Sequence, residues 1–245
     1  MSRFLEKLQT RCLRCRMRPT LCLCPEFPAL RALRTQLRLL IHRYEGNTTT
    51  NTGLLACELV EGSSVLWRGV NPKEGGGPDG IRQDEPWISP EELFTPGRTP
   101  LLLFPEPGAQ VVDSAWMEGR LRANPLEKFT LIVPDGSWRQ ARRVGRREPA
   151  LAGVARVTLP PGPPSEYRLR REPHPSFVCT FEAIARILGV IEGVAVQEQL
   201  ELLFRKFVGR QLWSRGDLQA DEVPGGIPEA AIRERQVSGF PKGGV

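Results

Sequence analysis

The sequence is poor in several features that would assign it quickly. It has two histidines, His42 and His174, in 245 residues. A His-based triad or His-rich metal site is therefore not expected; His42 ends an apolar run and His174 stands between two prolines. No Gly-x4-Gly-Lys phosphate loop occurs, and the Gly-x-Gly-x2-Gly spacing at Gly75, Gly77 and Gly80 lies in a Gly/Pro/acid-rich stretch that opens no helical pattern, which counts against kinase, ATPase and dehydrogenase chemistry. No run approaches the roughly 18 apolar residues of a membrane span. The opening Met1–Thr10 lacks the continuous apolar stretch of a signal peptide. A cytoplasmic protein with no membrane role and no obligate protein partner is the expectation, and no internal repeat is visible.

The chain does have an apolar fraction of 40% and a charged fraction of 25%, enough for a real core. The net charge of +6 is unevenly spread. Residues 1–43 hold ten Lys/Arg against two acids, and residues 139–171 hold nine Arg against two Glu. The remainder is acidic, so two Arg-dominated blocks stand apart. Clustered guanidinium groups suit a polyanionic partner such as nucleic acid, although a basic solvated face gives the same pattern.

Short apolar runs alternate with helical patterns. Strands are expected at 36–41, 64–70, 101–104, 129–133 and 154–159. Helices are expected at 53–60 (capped by Asn51 or Thr52), 114–123, 138–147, 177–190 and 196–213. This alternation predicts an α/β fold, a mostly parallel sheet with helices on both faces. Ligands in such sheets sit at the carboxyl ends of strands. The expected organisation is a cysteine-rich segment at 1–28, a main domain at 29–215 with an exposed Gly/Pro/acid-rich insertion at 71–98, and a tail at 216–245 that trails over the surface.

Cys12, Cys15, Cys22 and Cys24 form C-x2-C-x6-C-x-C. Four thiolates so close together can wrap one tetrahedral ion, and structural zinc is the first reading. Disulfides and an iron–sulfur cluster are the alternatives. Arg11, Arg14, Arg16 and Arg18 would help hold thiolates deprotonated. Cys57 and Cys179 lie in apolar contexts and read as packed core thiols. Asp135-Gly136-Ser137-Trp138 falls between a strand and a helix. It reads either as a helix start or as a ligand-facing carboxylate at a strand end.

Asp135-Gly136-Ser137-Trp138-Arg139-Gln140-Ala141 resembles the signature of the DTW-domain family, with Ser137 in place of the usual Thr. Other segments agree in order. The cysteine array resembles the zinc knuckle of bacterial members. His42-Arg43-Tyr44-Glu45 with Asn51-Thr52-Gly53 resembles the family's His-x2-Glu and Asn-Thr-Gly, with Arg43 where Pro is usual. Tyr167-Arg168-Leu169-Arg170 resembles its Tyr-x-Leu-Arg, and Thr180-Phe181-Glu182-Ala183 its Thr-x-Glu-Ala.

The resemblance implies a SPOUT-like α/β domain with a C-terminal knot. It also implies transfer of the 3-amino-3-carboxypropyl group of S-adenosylmethionine to N3 of a tRNA uridine, in the variable loop for bacterial members, releasing methylthioadenosine. Asp135 is then the candidate base, or the group that holds the donor's amino group or the helix terminus. Trp138 is expected to stack on adenine or a flipped uracil, or to anchor the helix. Donor contacts are expected from Leu103, Phe104, Pro105, Val133, Pro134, Gly136, Ser137, Ser176, Thr180 and Glu182. Arg139, Arg142, Arg143, Arg168, Arg170 and Arg171 would grip tRNA phosphates. A SPOUT-type methyltransferase, or a non-catalytic zinc-knuckle RNA-binding protein, is the alternative.

Overall fold

The computed structural model describes residues 10–42, 45, 48–68, 88–170, 174 and 177–238. Six strands form one sheet: β1 (Thr35–His42), β2 (Ser64–Arg68), β3 (Thr99–Leu103), β4 (Gln110–Val111), β5 (Phe129–Asp135) and β6 (Ala155–Thr158). Their order is β2-β1-β5-β3-β6-β4. Every pairing is parallel. The helices are α1 (Thr52–Leu59), α2 (Pro90–Leu93), α3 (Ser114–Ala123), α4 (Trp138–Arg147), α5 (Thr180–Glu192), α6 (Val194–Arg215) and α7 (Glu229–Ser238). The α/β architecture is as the sequence pattern predicts. The two-residue strand β4 escaped it because two residues carry no periodicity.

Side chains along each strand alternate between two cores, as the pleat requires. Leu37, Leu39 and Ile41 of β1 join Phe129, Leu131 and Val133 of β5 in the larger cluster, with α1, α5 and α6 packed over them. Leu40, Leu102 and Ile132 point the other way, onto Val144 of α4 and Leu151. All seven residues of β5 are buried, which explains its continuous apolar run. Phe181 of α5 stacks on Phe204 of α6 with centroids 5.2 Å apart.

Three expectations are corrected. Residues 71–87 of the expected exposed insertion lie outside the described residues; in its end, Pro90–Glu92, Pro96 and Gly97 are exposed, but two residues join the core. Ile88 and Leu93 are buried against β1, β3 and β5. The Ile88 amide donates to Glu148 Oε1 at 3.2 Å, and Ser89 and Glu92 form a reciprocal cap on α2. Two apolar anchors in a polar stretch are too few to read as a pattern.

The tail does not simply trail. Gly216, in the left-handed region at φ 88°, ends α6. The chain then returns to bury Val223 and Ala231 in the main core. Arg235 of α7 lies over the Trp213 ring at 4.7 Å, and Glu234 accepts a hydrogen bond from Thr20 at 2.5 Å. Residues 239–245 lie outside the described residues. The cysteine-bearing segment is likewise no free appendage, since Cys15, Met17, Leu21 and Leu23 are buried in the same main core.

Candidate functional site

The chain leaves β1 toward β2 on one side and leaves β5 toward β6 on the other. A crevice therefore opens above the carboxyl ends of these two neighbours, where open parallel sheets bind ligands. A cavity of about 740 Å³ lies there, lined from the loops that follow β1, β3, β5 and β6 and from the start of α5.

Asp135, the last residue of β5, is 6% exposed and lines this cavity. Asn51 Nδ2 donates to its Oδ2 at 2.6 Å. Thr180 Oγ1 donates to its Oδ1 at 2.5 Å. Burial pushes the carboxyl up from its ordinary value, and these two hydrogen bonds pull it partly back. A buried carboxylate raised in this way is poised to accept a proton nearer neutral pH than an exposed one.

The Asn-Thr-Gly segment is explained residue by residue. Asn51 Oδ1 caps α1 by accepting from the Leu54 amide at 2.9 Å while its amide holds Asp135. Thr52 Oγ1 accepts from the Phe181 amide at 3.4 Å and so ties α1 to α5. A Cβ on Gly53 would stand 3.1 Å from the Asp135 carboxylate, so only glycine lets the helix approach it so closely. Tyr167 Oη donates to the Thr50 carbonyl at 2.9 Å, and Arg170 pairs with Glu45 at 3.0 Å. Tyr-x-Leu-Arg thus clamps the loop after β1. Arg43 and Tyr44 lie outside the described residues.

Trp138 opens α4 half-buried. It stacks on Phe177 with centroids 4.1 Å apart and meets Phe104 at 5.9 Å, so three rings form an aromatic wall. Leu103, Phe104, Pro105, Val133, Pro134, Gly136, Ser137 and Thr180 all line the cavity, and Arg139 and Arg170, assigned to phosphates from the sequence, line it too. Ser137 is also the cap of α4, in a reciprocal pair with Gln140.

Glu182 is placed differently from its expected contact with a ligand. It is buried behind the cavity wall, where it accepts from Ser165 Oγ at 2.5 Å, the Glu166 amide at 2.7 Å and the Cys179 amide at 3.0 Å. Its carboxylate fastens the 165–166 loop to the start of α5. Arg142, Arg143 and Arg168 are outside the cavity, with Arg142 and Arg168 exposed. Ser176 and Arg171 lie outside the described residues. The sequence reading did not assign Glu45, Thr50, Asn51, Phe177 or Arg186 to the site, yet all line it. For Glu45 and Asn51, the His-x2-Glu and Asn-Thr-Gly segments held the signal.

A second cluster stands at the N-terminus. Cys12 and Cys24 sulfurs are 3.5 Å apart, Cys15 and Cys22 sulfurs 3.6 Å, and all four lie within 4.8 Å of one another. A disulfide needs about 2.05 Å. A tetrahedral ion with bonds of about 2.3 Å sets sulfurs about 3.8 Å apart. The four cysteines therefore fit a single metal ion. Arg210 of α6 donates to the Leu21 and Cys22 carbonyls and fixes the loop between the cysteine pairs. Two of the arginines near the thiols also pair with acids: Arg14 with Glu58 at 2.9 Å, Arg18 with Glu234 at 3.5 Å. Cys179 is buried and Cys57 half-buried, its thiol pushed up to about 12 by burial.

The model of the DTW domain family matches residues 9–212, from before the first cysteine almost to the end of α6. A Drosophila melanogaster protein named tRNA-uridine aminocarboxypropyltransferase 2 is 28% identical over 188 residues, covering 76% of this chain and 68% of the fly protein. The Macaca fascicularis protein of the same name is 27% identical over 188 residues, 76% of this chain and 58% of its own length. No solved structure matches the chain.

Proposed function

The chain belongs to the DTW domain family, and on that premise we propose that it transfers the 3-amino-3-carboxypropyl group of S-adenosylmethionine to N3 of a uridine in tRNA. The names of the fly and macaque relatives support this reading. The observation that carries it is the buried Asp135 carboxylate, held by Asn51 and Thr180 beside the Trp138–Phe177 wall. The cavity volume lies within the roughly 300–1,000 Å³ usual for small-molecule sites.

In this reaction the uracil N3 forms a bond to the γ-carbon of the methionyl arm. The carbon–sulfur bond breaks, its electron pair stays on sulfur, and neutral methylthioadenosine leaves. The N3 proton goes to Asp135, whose raised pKa makes it a better base than an exposed carboxylate. The enzyme selects the γ-carbon over the methyl group by orientation, because both are bonded to the same sulfonium. The aromatic wall offers flat apolar surface to adenine or a flipped uracil.

Arg139 and Arg170, which line the cavity, and Arg142, Arg143, Arg168 and Arg171 are assigned to tRNA phosphates. The four cysteines are assigned to structural zinc.

Incubation with unmodified tRNA and S-adenosylmethionine, followed by mass analysis, tests the reading. Methylthioadenosine and a heavier uridine nucleoside are expected. S-adenosylhomocysteine would make the protein a methyltransferase and overturn it.

A further inference from the structure

Arg186 of α5 lines the cavity, and its Nε is buried without a hydrogen-bond partner. No acid among the described residues pairs with it. The cavity's two carboxylates are already engaged, Glu45 by Arg170 and Asp135 by Asn51 and Thr180. Arg139, by contrast, stands exposed at the mouth, where water can solvate it. A half-buried guanidinium with a desolvated Nε and no counter-charge is a costly arrangement unless an anion completes it.

The surroundings are shaped around this side chain. Thr180, Ala183 and Arg186 recur at three-residue spacing along the cavity face of α5. The small Ala183 leaves space between the other two. Helical side chains lean toward the helix N-terminus, here the end of α5 that carries Thr180 and its partner Asp135. Gly162 closes over it, since a Cβ there would stand 3.2 Å from Arg186 Nη1.

Resting on the donor assignment above, we propose that Arg186 binds the α-carboxylate of the donor's amino-acid arm. It thereby fixes the arm that must present its γ-carbon to the acceptor. An RNA phosphate shares the required charge, but the guanidinium lies inside the cavity, whereas the α4 arginines assigned to phosphates include the exposed Arg142 outside it. Arg186 is then the residue that distinguishes a sulfonium bearing a carboxylate from one lacking it.

Calorimetric titration of the full chain with S-adenosylmethionine, its decarboxylated analogue and methylthioadenosine tests the proposal. The wild type is expected to favour S-adenosylmethionine over the decarboxylated compound by on the order of 10–100-fold, the worth of one charge-assisted pair. Arg186→Met is expected to erase that preference while binding methylthioadenosine as the wild type does, and Arg186→Lys to restore part of it. An Arg186→Met protein that binds methylthioadenosine and still prefers the carboxylate overturns the proposal. So does one that loses tRNA affinity with the donor preference intact, which would make the anion a phosphate. If the wild type binds none of the three compounds, the donor reading itself fails and takes this proposal with it.

Discussion

Asn51 and Asp135 meet at 2.6 Å across the gap between the loop after β1 and the end of β5. The other end of the same Asn51 amide caps α1. One side chain thus joins the start of a helix to the carboxylate at the floor of the cavity. No shorter residue can do both.

Asn51→Ser separates the two roles. Serine keeps a capping oxygen but cannot reach Asp135. The lost hydrogen bond favoured the charged carboxylate, so the Asp135 pKa rises further. If Asp135 acts as a base, activity rises with pH as it ionises, and the acidic limb of the pH–rate profile moves to higher pH. Asn51→Ala also loses the cap and costs a further ~1 kcal/mol in thermal denaturation.

Asp135→Asn is expected to lower turnover by about 10²–10⁴-fold without lowering the melting temperature at pH 7. Folding raises the Asp135 pKa, so the folded state holds that proton more tightly than the unfolded chain. Its stabilising contribution is full below the unfolded value of about 3.9 and is lost as pH rises through the folded value. At pH 7 the buried charge opposes folding, and asparagine removes it. Melting curves from acid to neutral pH should show any advantage of the variant fading as the pH falls.

Gly53→Ala places a methyl 3.0 Å from Leu39 Cδ1 and 3.1 Å from the Asp135 carboxylate. Neither neighbour is free to retreat, as Leu39 is fully buried and Asp135 is held by two donors. A loss of about 1–3 kcal/mol in urea unfolding is expected, with reduced turnover in protein that still folds. Wild-type stability would mean that α1 shifts outward easily.

Metal analysis of the purified protein should give one zinc per chain, and brown colour with iron would favour a cluster instead. Because the cysteine segment buries Leu21 and Leu23 in the main core and receives Arg210, chelation should destabilise the whole domain. A fall in melting temperature on the order of 5–10 °C is expected by scanning fluorimetry. An unchanged value would show that the segment holds its shape without metal.

Arg142 is exposed on α4, outside the cavity. Arg142→Ala should weaken tRNA binding across sequences and reduce the salt slope of log K by about 1. Donor affinity should stay at the wild-type value. Filter binding at several salt concentrations, beside donor titration, reads both.

Much of the fold was legible because buried parallel strands read as apolar runs. Phe129–Val133 is an example, fully buried in the sheet. The Asn51 cap was legible because capping is a local rule. Glu182 was misread for the opposite reason. The family resemblance suggested a ligand contact for it, but its partners, Ser165 and the Glu166 amide, come from a loop that folding alone brings there. Trp138 shows the same division. Its place at a helix start was plain, whereas its stacking on Phe177 depends on a contact between residues far apart in the chain.

The sequence by itself determined five of the six strands, most of the helices, the four clustered thiols and the family resemblance. Each depends on residues close together, through periodicity, capping or ligand spacing. The tertiary structure alone decided that β1 and β5 are neighbours with connections leaving in opposite directions. That arrangement opens the crevice and brings Asn51, Asp135 and Thr180 into one hydrogen-bonded set. It also placed Arg186 in the cavity wall without a counter-charge among the described residues. Pairings across such sequence distances follow from how the layers pack, and no local pattern encodes them.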